Sequence, residues 1–126
     1  MNQILIVEDE ARLAAFVEKG LGKNGFCTAV AADGEQALYM AENSNFDLML
    51  LDLKLPGKDG WTVLRELRNH GKQFPIIVVT AMTDERNRAT ALGAGANDYV
   101  TKPFSFKDLL ERIRALLADS GIHPAL

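Results

Sequence analysis

Five short apolar runs, each followed by a stretch with helical spacing, constrain this chain more than any other feature. The runs are Ile4–Val7, Phe26–Ala31, Leu48–Leu51, Ile76–Val79 and Asp98–Thr101. Unbroken apolar runs of four to six residues suit strands that are covered on both faces. Between them Leu13, Phe16, Val17 and Leu21 fall at helical spacing, as do Ala37, Leu38 and Ala41, then Val63, Leu64 and Leu67. The longest stripe is Phe106, Leu109, Leu110, Ile113, Leu116 and Leu117. Residues 84–93 carry the weakest pattern, with Ala89 and Leu92 as apolar anchors. Strict alternation of this kind predicts a (βα)5 doubly wound α/β fold, a five-stranded parallel sheet with right-handed crossovers and helices on both faces.

Local signals agree. Asp33 is placed to cap the second helix, with Gln36 reaching back toward it, and Ser105 with Asp108 reads as a capping box for the last. Phe104 and Leu109 form its hydrophobic staple. Gly25, Gly71 and Gly95 follow helical stretches, where a positive φ is often needed, and Pro56-Gly57 marks a tight turn. A chain of 126 residues with 48% hydrophobic residues can build one core without staples. Residues 1–118 are expected to form that domain, and 119–126, with Gly121 and Pro124, to be a linker or the end of a cloned fragment.

Composition removes several function classes. A net charge of −3 argues against nucleic-acid binding over the whole surface. The single Cys27 excludes an internal disulfide and suits core filling, and two histidines leave little room for a zinc centre. No window approaches the ~20 apolar residues of a membrane span. The start, MNQILIVEDE, turns acidic too soon for a secretory signal, so the cytoplasm is the expected compartment.

In an open parallel sheet, ligands bind beyond the carboxyl ends of the strands. Glu8, Asp9 and Glu10 follow the first run, Asp52 the third, Thr80 the fourth and Lys102 the fifth. Three clustered carboxylates repel one another, by about 4 kcal/mol per pair at ~4 Å and an effective dielectric of 20. They must shift in pKa or hold a cation, and hard oxygen ligands with open positions suit Mg²⁺. A carboxylate nucleophile beside Mg²⁺, with an amine across the pocket, suits phosphoryl transfer.

At these residues the chain resembles a known family. Ile4 to Leu117 is similar to the receiver domain of a two-component response regulator. The matching features are Glu8-Asp9, Asp52 closing the third strand, the DLKLPGKDG loop, Thr80-Ala81 and Lys102-Pro103-Phe104, all in the same order. The resemblance implies a flavodoxin-like sheet of order 2-1-3-4-5. It implies that Asp52 accepts a phosphoryl group from a sensor histidine kinase. Asp9, Asp52 and the backbone carbonyl of Lys54 would bind Mg²⁺, with Glu8 acting through water. Lys102 would meet a phosphoryl oxygen, Thr80 would swing to the phosphate, and Tyr99 would turn inward behind it. The Lys102–Pro103 bond is expected to be cis.

The stretch GAGANDYVTKPFSFKDLLERIRALL further resembles transcriptional regulators with a winged-helix DNA-binding domain after the receiver. That likeness implies a phosphorylation-promoted homodimer through helix 4, strand 5 and helix 5, with Arg88 opposite Asp108 and Asp98 opposite Arg112 across subunits. Contact with DNA would come only through an output domain absent from this chain. Asn97 stands where that subclass usually has an acid, which removes one ionic contact.

Simpler roles and rival functions compete. Asp9 alone could be an N-cap, and Thr80 alone a β-branched strand end. His70 and Trp61 read as the end and the start of the third helix. A Mg²⁺-dependent phosphohydrolase using an aspartyl-phosphate intermediate is the alternative function. Enzymes of that haloacid-dehalogenase type carry a second acid two residues after the nucleophile, where this chain has Lys54. A flavin-binding module would need a hydroxyl- and glycine-rich phosphate loop after the first strand, and Glu8-Asp9-Glu10 would repel the phosphate. The chain is therefore expected not to be an enzyme, but to assist its own phosphorylation and dephosphorylation.

Overall fold

The computed structural model describes residues 2–120. Strands and helices alternate as β1 (Gln3–Val7), α1 (Ala11–Lys23), β2 (Cys27–Ala31), α2 (Gly34–Asn43), β3 (Leu48–Leu51), α3 (Gly60–Asn69), β4 (Ile76–Thr80), α4 (Glu85–Gly93), β5 (Asp98–Thr101) and α5 (Phe106–Ser120). The five strands form one sheet in the order β2-β1-β3-β4-β5, and every pairing is parallel.

The unbroken apolar runs divide by alternation between two cores. Leu5, Val7, Met49, Leu51, Ile76 and Val78 pack with Ala37 and Ala41 of α2, Val63, Leu64 and Leu67 of α3, and Ala91 of α4. Ile4, Ile6, Leu48, Leu50, Ile77 and Val79 face the other way, against Ala14, Val17 and Leu21 of α1 and Leu109 and Ile113 of α5. Each of these large aliphatic side chains contributes about 1.5–3 kcal/mol on leaving water. Burial on both faces is why the strands read as continuous rather than alternating.

Three details depart from the sequence pattern. On α1 the buried helical stripe is Ala14, Val17 and Leu21, while Phe16 is 55% exposed and meets Phe106 edge to face, centroids 5.9 Å apart. On α4 neither Ala89 nor Leu92 is the anchor: both are exposed and the small Ala91 is buried instead. Small size lets Ala91 approach the sheet closely, and size is invisible to a hydrophobic-period reading. At the other end, α5 continues through Ala118 and Asp119 to Ser120, because no breaker occurs before Gly121. The expected tail thus begins inside the helix; Gly121, His123 and Pro124 lie outside the described residues.

Both expected N-caps form, but the capping box of α5 is half made, since the Asp108 carboxylate turns to Arg112 instead of back to Ser105. Asp33 Oδ1 accepts from the Gln36 amide at 2.7 Å, and the Gln36 side chain accepts from the Ala32 amide at 2.9 Å. Ser105 Oγ accepts from the Asp108 amide at 3.3 Å. Gly25, Gly71 and Gly95 all have positive φ, as does Gly57 in the Pro56-Gly57 turn.

One polar hub ties three connections together. Arg68 Nη1 donates to the carbonyls of Lys72 (2.9 Å) and Phe74 (2.8 Å), and Nε and Nη2 donate to the Gly95 carbonyl (3.0 and 2.9 Å). Nη2 also donates to Asn97 Oδ1 at 3.0 Å, which accepts in turn from the Ile76 amide at 2.9 Å. Asn97 is therefore a joint within the chain. Among the described residues no carboxylate pairs with Arg68, and burial lowers its pKa.

Candidate functional site

The site is built where strands run out. Past the last strand residue, ladder hydrogen bonds continue for one step: the Glu8 amide donates to the Ala31 carbonyl (3.0 Å), the Asp52 amide to Val7 (3.1 Å) and the Lys102 amide to Thr80 (2.8 Å). These bonds hold three backbones rigidly while their side chains leave the sheet at its carboxyl edge. Preorganised groups on rigid elements are what a reactive site needs.

There Lys102 Nζ lies 2.8 Å from Glu8 Oε1 and 2.9 Å from Asp52 Oδ2. The second oxygen of each acid is also engaged. Glu8 Oε2 accepts from the Glu10 amide at 3.1 Å and Asp52 Oδ1 from the Lys54 amide at 3.1 Å. Both carboxylates are buried, while Asp9 is exposed. Carboxylate oxygens of Glu8, Asp9 and Asp52 lie within 4.8 Å of one another. Three anions thus face one cation. Burial pushes the Glu8 carboxyl above its ordinary pKa despite its bond to Lys102. Burial also opposes the charge on Lys102, but its bonds to Asp52 and Glu8 outweigh that and raise its pKa. A second cation bound by oxygen would relieve the excess negative charge.

Asp9 is not a helix cap. Glu10 occupies the cap position of α1, without a side-chain capping bond, which leaves the Asp9 carboxylate available to the cluster. Thr80 is fully buried at the end of β4, and its Oγ1 accepts from the Met82 amide at 3.4 Å. Tyr99 is 3% exposed, and its hydroxyl donates to the Met82 carbonyl at 2.6 Å. The ring is therefore turned in, and burial raises its pKa. The Lys102–Pro103 peptide is cis.

Beside the acids lies an open cleft of about 500 Å³, lined by Asp9, Leu53, Lys54, Pro56, Trp61 and Met82. Lys54 and Met82, two positions beyond Asp52 and Thr80, both belong to its lining. Trp61, in the first turn of α3, packs against the core and also forms part of this wall.

The residues expected on a dimer face lie together but pair within the chain. Arg112 Nη1 meets Asp98 Oδ1 at 2.8 Å and Arg112 Nε meets Asp108 Oδ2 at 3.0 Å. The second contact follows from i,i+4 spacing on α5. Arg88 donates to the Tyr99 carbonyl at 3.2 Å and lies 3.8 Å from Glu85. Any pairing across subunits would exchange these partners rather than fill empty ones.

Sequence reading missed two contributors, Arg68 and Gly60. Arg68 looks like any helix-surface arginine until its acceptors are known. Gly60 follows the α3 cap Asp59, whose Oδ1 accepts from the Thr62 amide at 2.9 Å. The Asp-Gly step was a visible signal, but it reads as an ordinary turn.

Comparison with known proteins agrees with this geometry. The chain is 44% identical over 115 residues to the transcriptional regulatory protein HprR of Escherichia coli, covering 91% of this chain and 51% of that protein. It is 43% identical over 119 residues to the two-component response regulator PhoP of Pseudomonas aeruginosa, covering 94% and 53%. It thus spans about half the length of these curated relatives. Among solved structures, a Francisella response regulator receiver domain superposes with a TM-score of 0.93 at 31% identity, over 96% of this chain and all of that one. The response regulator TrrA of Thermotoga maritima, solved in complex with Mg²⁺ and a beryllium fluoride, superposes with a TM-score of 0.83 at 34% identity, over 92% of this chain and 99% of that one. The phosphohydrolase alternative is not favoured by these likenesses. No described helix is long and apolar enough to cross a membrane. Residues 4–114 match the response regulator receiver domain, and the chain belongs to that family.

Proposed function

We propose that Asp52 is the phosphoacceptor of this receiver and that a sensor histidine kinase is its donor. Asp9, Asp52 and the Lys54 backbone carbonyl would hold Mg²⁺, with Glu8 acting through a water. When bound, Mg²⁺ supplies Lewis-acid neutralisation of the phosphoryl oxygens. An Asp52 oxygen attacks the phosphorus of the phosphohistidine in line. The P–O bond forms, the P–N bond breaks, and the electron pair leaves with the imidazole nitrogen. Lys102 stabilises negative charge spread over the equatorial oxygens. The observation that carries this reading is the placement of one ammonium between two buried carboxylates, 2.8 and 2.9 Å away, with a third acid alongside.

Phosphorylation adds roughly one to two negative charges at Asp52, by analogy with other phosphorylated side chains. That charge draws the Thr80 hydroxyl toward it, and inward Tyr99 fills the space behind. The β4–α4 loop, α4 and β5 are then biased between two arrangements, within the limit set by differential contacts. Arg88, Asp98, Asp108 and Arg112 would re-pair across a homodimer, each exposed pair worth about 0.2–1 kcal/mol. Likeness to transcriptional regulators about twice as long supports an attached output domain that binds DNA, with the cytoplasm as compartment.

Incubation with acetyl phosphate and Mg²⁺ should give one acid-stable, base-labile phosphoryl adduct by intact mass, absent in Asp52→Asn. An adduct that persists in Asp52→Asn overturns the assignment. Because Lys54 is exposed and lines the cleft, Lys54→Ala is expected to admit hydrolytic water and shorten the adduct's lifetime several-fold. An unchanged dephosphorylation rate would remove Lys54 from that role.

A further inference from the structure

We infer that Gly60 is a positioning residue for phosphoacceptance: its lack of a side chain lets the first turn of α3 lie directly on the backbone of Asp52 and Leu53. A Cβ at Gly60 would fall 2.2 Å from the Asp52 carbonyl oxygen and 2.6 Å from Leu53 Cα. Both are backbone atoms, so neither can rotate away. The Gly60 amide also donates to the Leu53 carbonyl at 2.9 Å, and the Leu53 side chain is 1% exposed. The acceptor and the residue after it are thus clamped between β3 and the α3 N-terminus.

Space, and not backbone conformation, requires the glycine, since Gly60 is not among the positive-φ glycines. A glycine at a helix start also forfeits helix propensity relative to alanine. The compensating gain is the fixed aim of the Asp52 carboxylate and of the Lys54 carbonyl two residues on. An added methyl forces the two segments about 1 Å apart, and a misplacement of ~1 Å can cost ~10²-fold in rate.

The proposal takes Asp52 to be the phosphoacceptor, so wild type is measured first for Mg²⁺ affinity and for phosphorylation by acetyl phosphate. Trp61, the single tryptophan, lies in the cleft wall with Asp9 and Lys54 and serves as the fluorescence reporter of Mg²⁺. Gly60→Ala is expected to weaken Mg²⁺ binding about tenfold and to slow phosphorylation by about 10–100-fold. Two controls separate positioning from general destabilisation. Gly34→Ala produces a still closer clash, 1.8 Å from the Lys58 carbonyl oxygen, but Asp52 is not among the atoms it meets. It is expected to lower the melting temperature and leave Mg²⁺ affinity within about twofold of wild type. Gly22→Ala, with nothing within 4 Å of its Cβ, is expected to stabilise α1. Combined with Gly60→Ala, or with an osmolyte that restores the folded fraction, it should recover melting temperature but not Mg²⁺ affinity.

If wild type binds Mg²⁺ and the stabilised Gly60→Ala protein binds it equally well, the positioning role is wrong. The same holds if Gly34→Ala loses affinity in parallel with Gly60→Ala. If wild type neither binds Mg²⁺ nor accepts phosphate, the phosphoacceptor reading itself fails, and the positioning role with it.

Discussion

Lys102→Met is expected to destabilise the ion-free protein by about 3 kcal/mol, the cost of leaving buried carboxylates without their cation. Lys102 Nζ contacts Glu8 and Asp52 at 2.8 and 2.9 Å, and both acid side chains are only 7% exposed. Methionine keeps the aliphatic stem and packing volume, so the loss is chiefly electrostatic. Added Mg²⁺ should restore a large part of it, because a cation bound only to the folded state stabilises by mass action. Urea unfolding in chelator and in Mg²⁺ distinguishes the two contributions. The same variant should accept phosphate about 10²–10³ times more slowly, since a preorganised charge is lost from the transition state. Unchanged stability in chelator would mean that solvent already screens the acidic cluster.

Arg68→Met is expected to cost about 3 kcal/mol, or roughly 10 °C in melting temperature for a domain of this size. The side chain satisfies three backbone carbonyls, of Lys72, Phe74 and Gly95, together with Asn97 Oδ1. Removing it strands acceptors at the end of α3, the entry to β4 and the α4–β5 turn together. Arg68→Lys should recover less than half of the loss, because an ammonium cannot reproduce the planar fork. Thermal unfolding followed by far-ultraviolet dichroism is the measurement; a drop of only a few degrees would show that water replaces the guanidinium. Phosphorylation of the folded variant should be nearly normal, in contrast to Lys102→Met.

The layout of the fold was legible because its signal is redundant. Five apolar runs, two capping motifs and the turn glycines each pointed to the same alternation. The order of the strands was available only through resemblance, since periodicity cannot say which strands are neighbours. Glu8, Asp9, Asp52 and Lys102 were legible because a sheet's carboxyl edge gathers whatever polar residues close its strands. What stayed hidden depended on distance rather than type. Ala91 anchors α4 by being small, Phe16 turns outward although apolar, and Gly60 acts through the space it leaves. Asn97, expected as one acid fewer on a dimer face, also serves as a hydrogen-bond joint within the chain, which its sequence position did not signal. Arg68 gave no sign, because its partners are main-chain carbonyls that a sequence does not distinguish.

If Tyr99 is the switch proposed above, its hydroxyl bond to the Met82 carbonyl is one of the contacts that toggling must break. One neutral hydrogen bond is worth only about 1 kcal/mol net, a bias of about fivefold. Turning the phenol to solvent would return both groups to water, so the aromatic ring weighs more in the balance than its hydroxyl. On that reading the buried ring sets most of the threshold, and a charged group arriving at the strand ends would have to supply a few kcal/mol to choose between the two arrangements. The hydroxyl would then be a lightly sprung latch on a heavier door, and the cost of moving the ring would set how large a signal the modification must deliver.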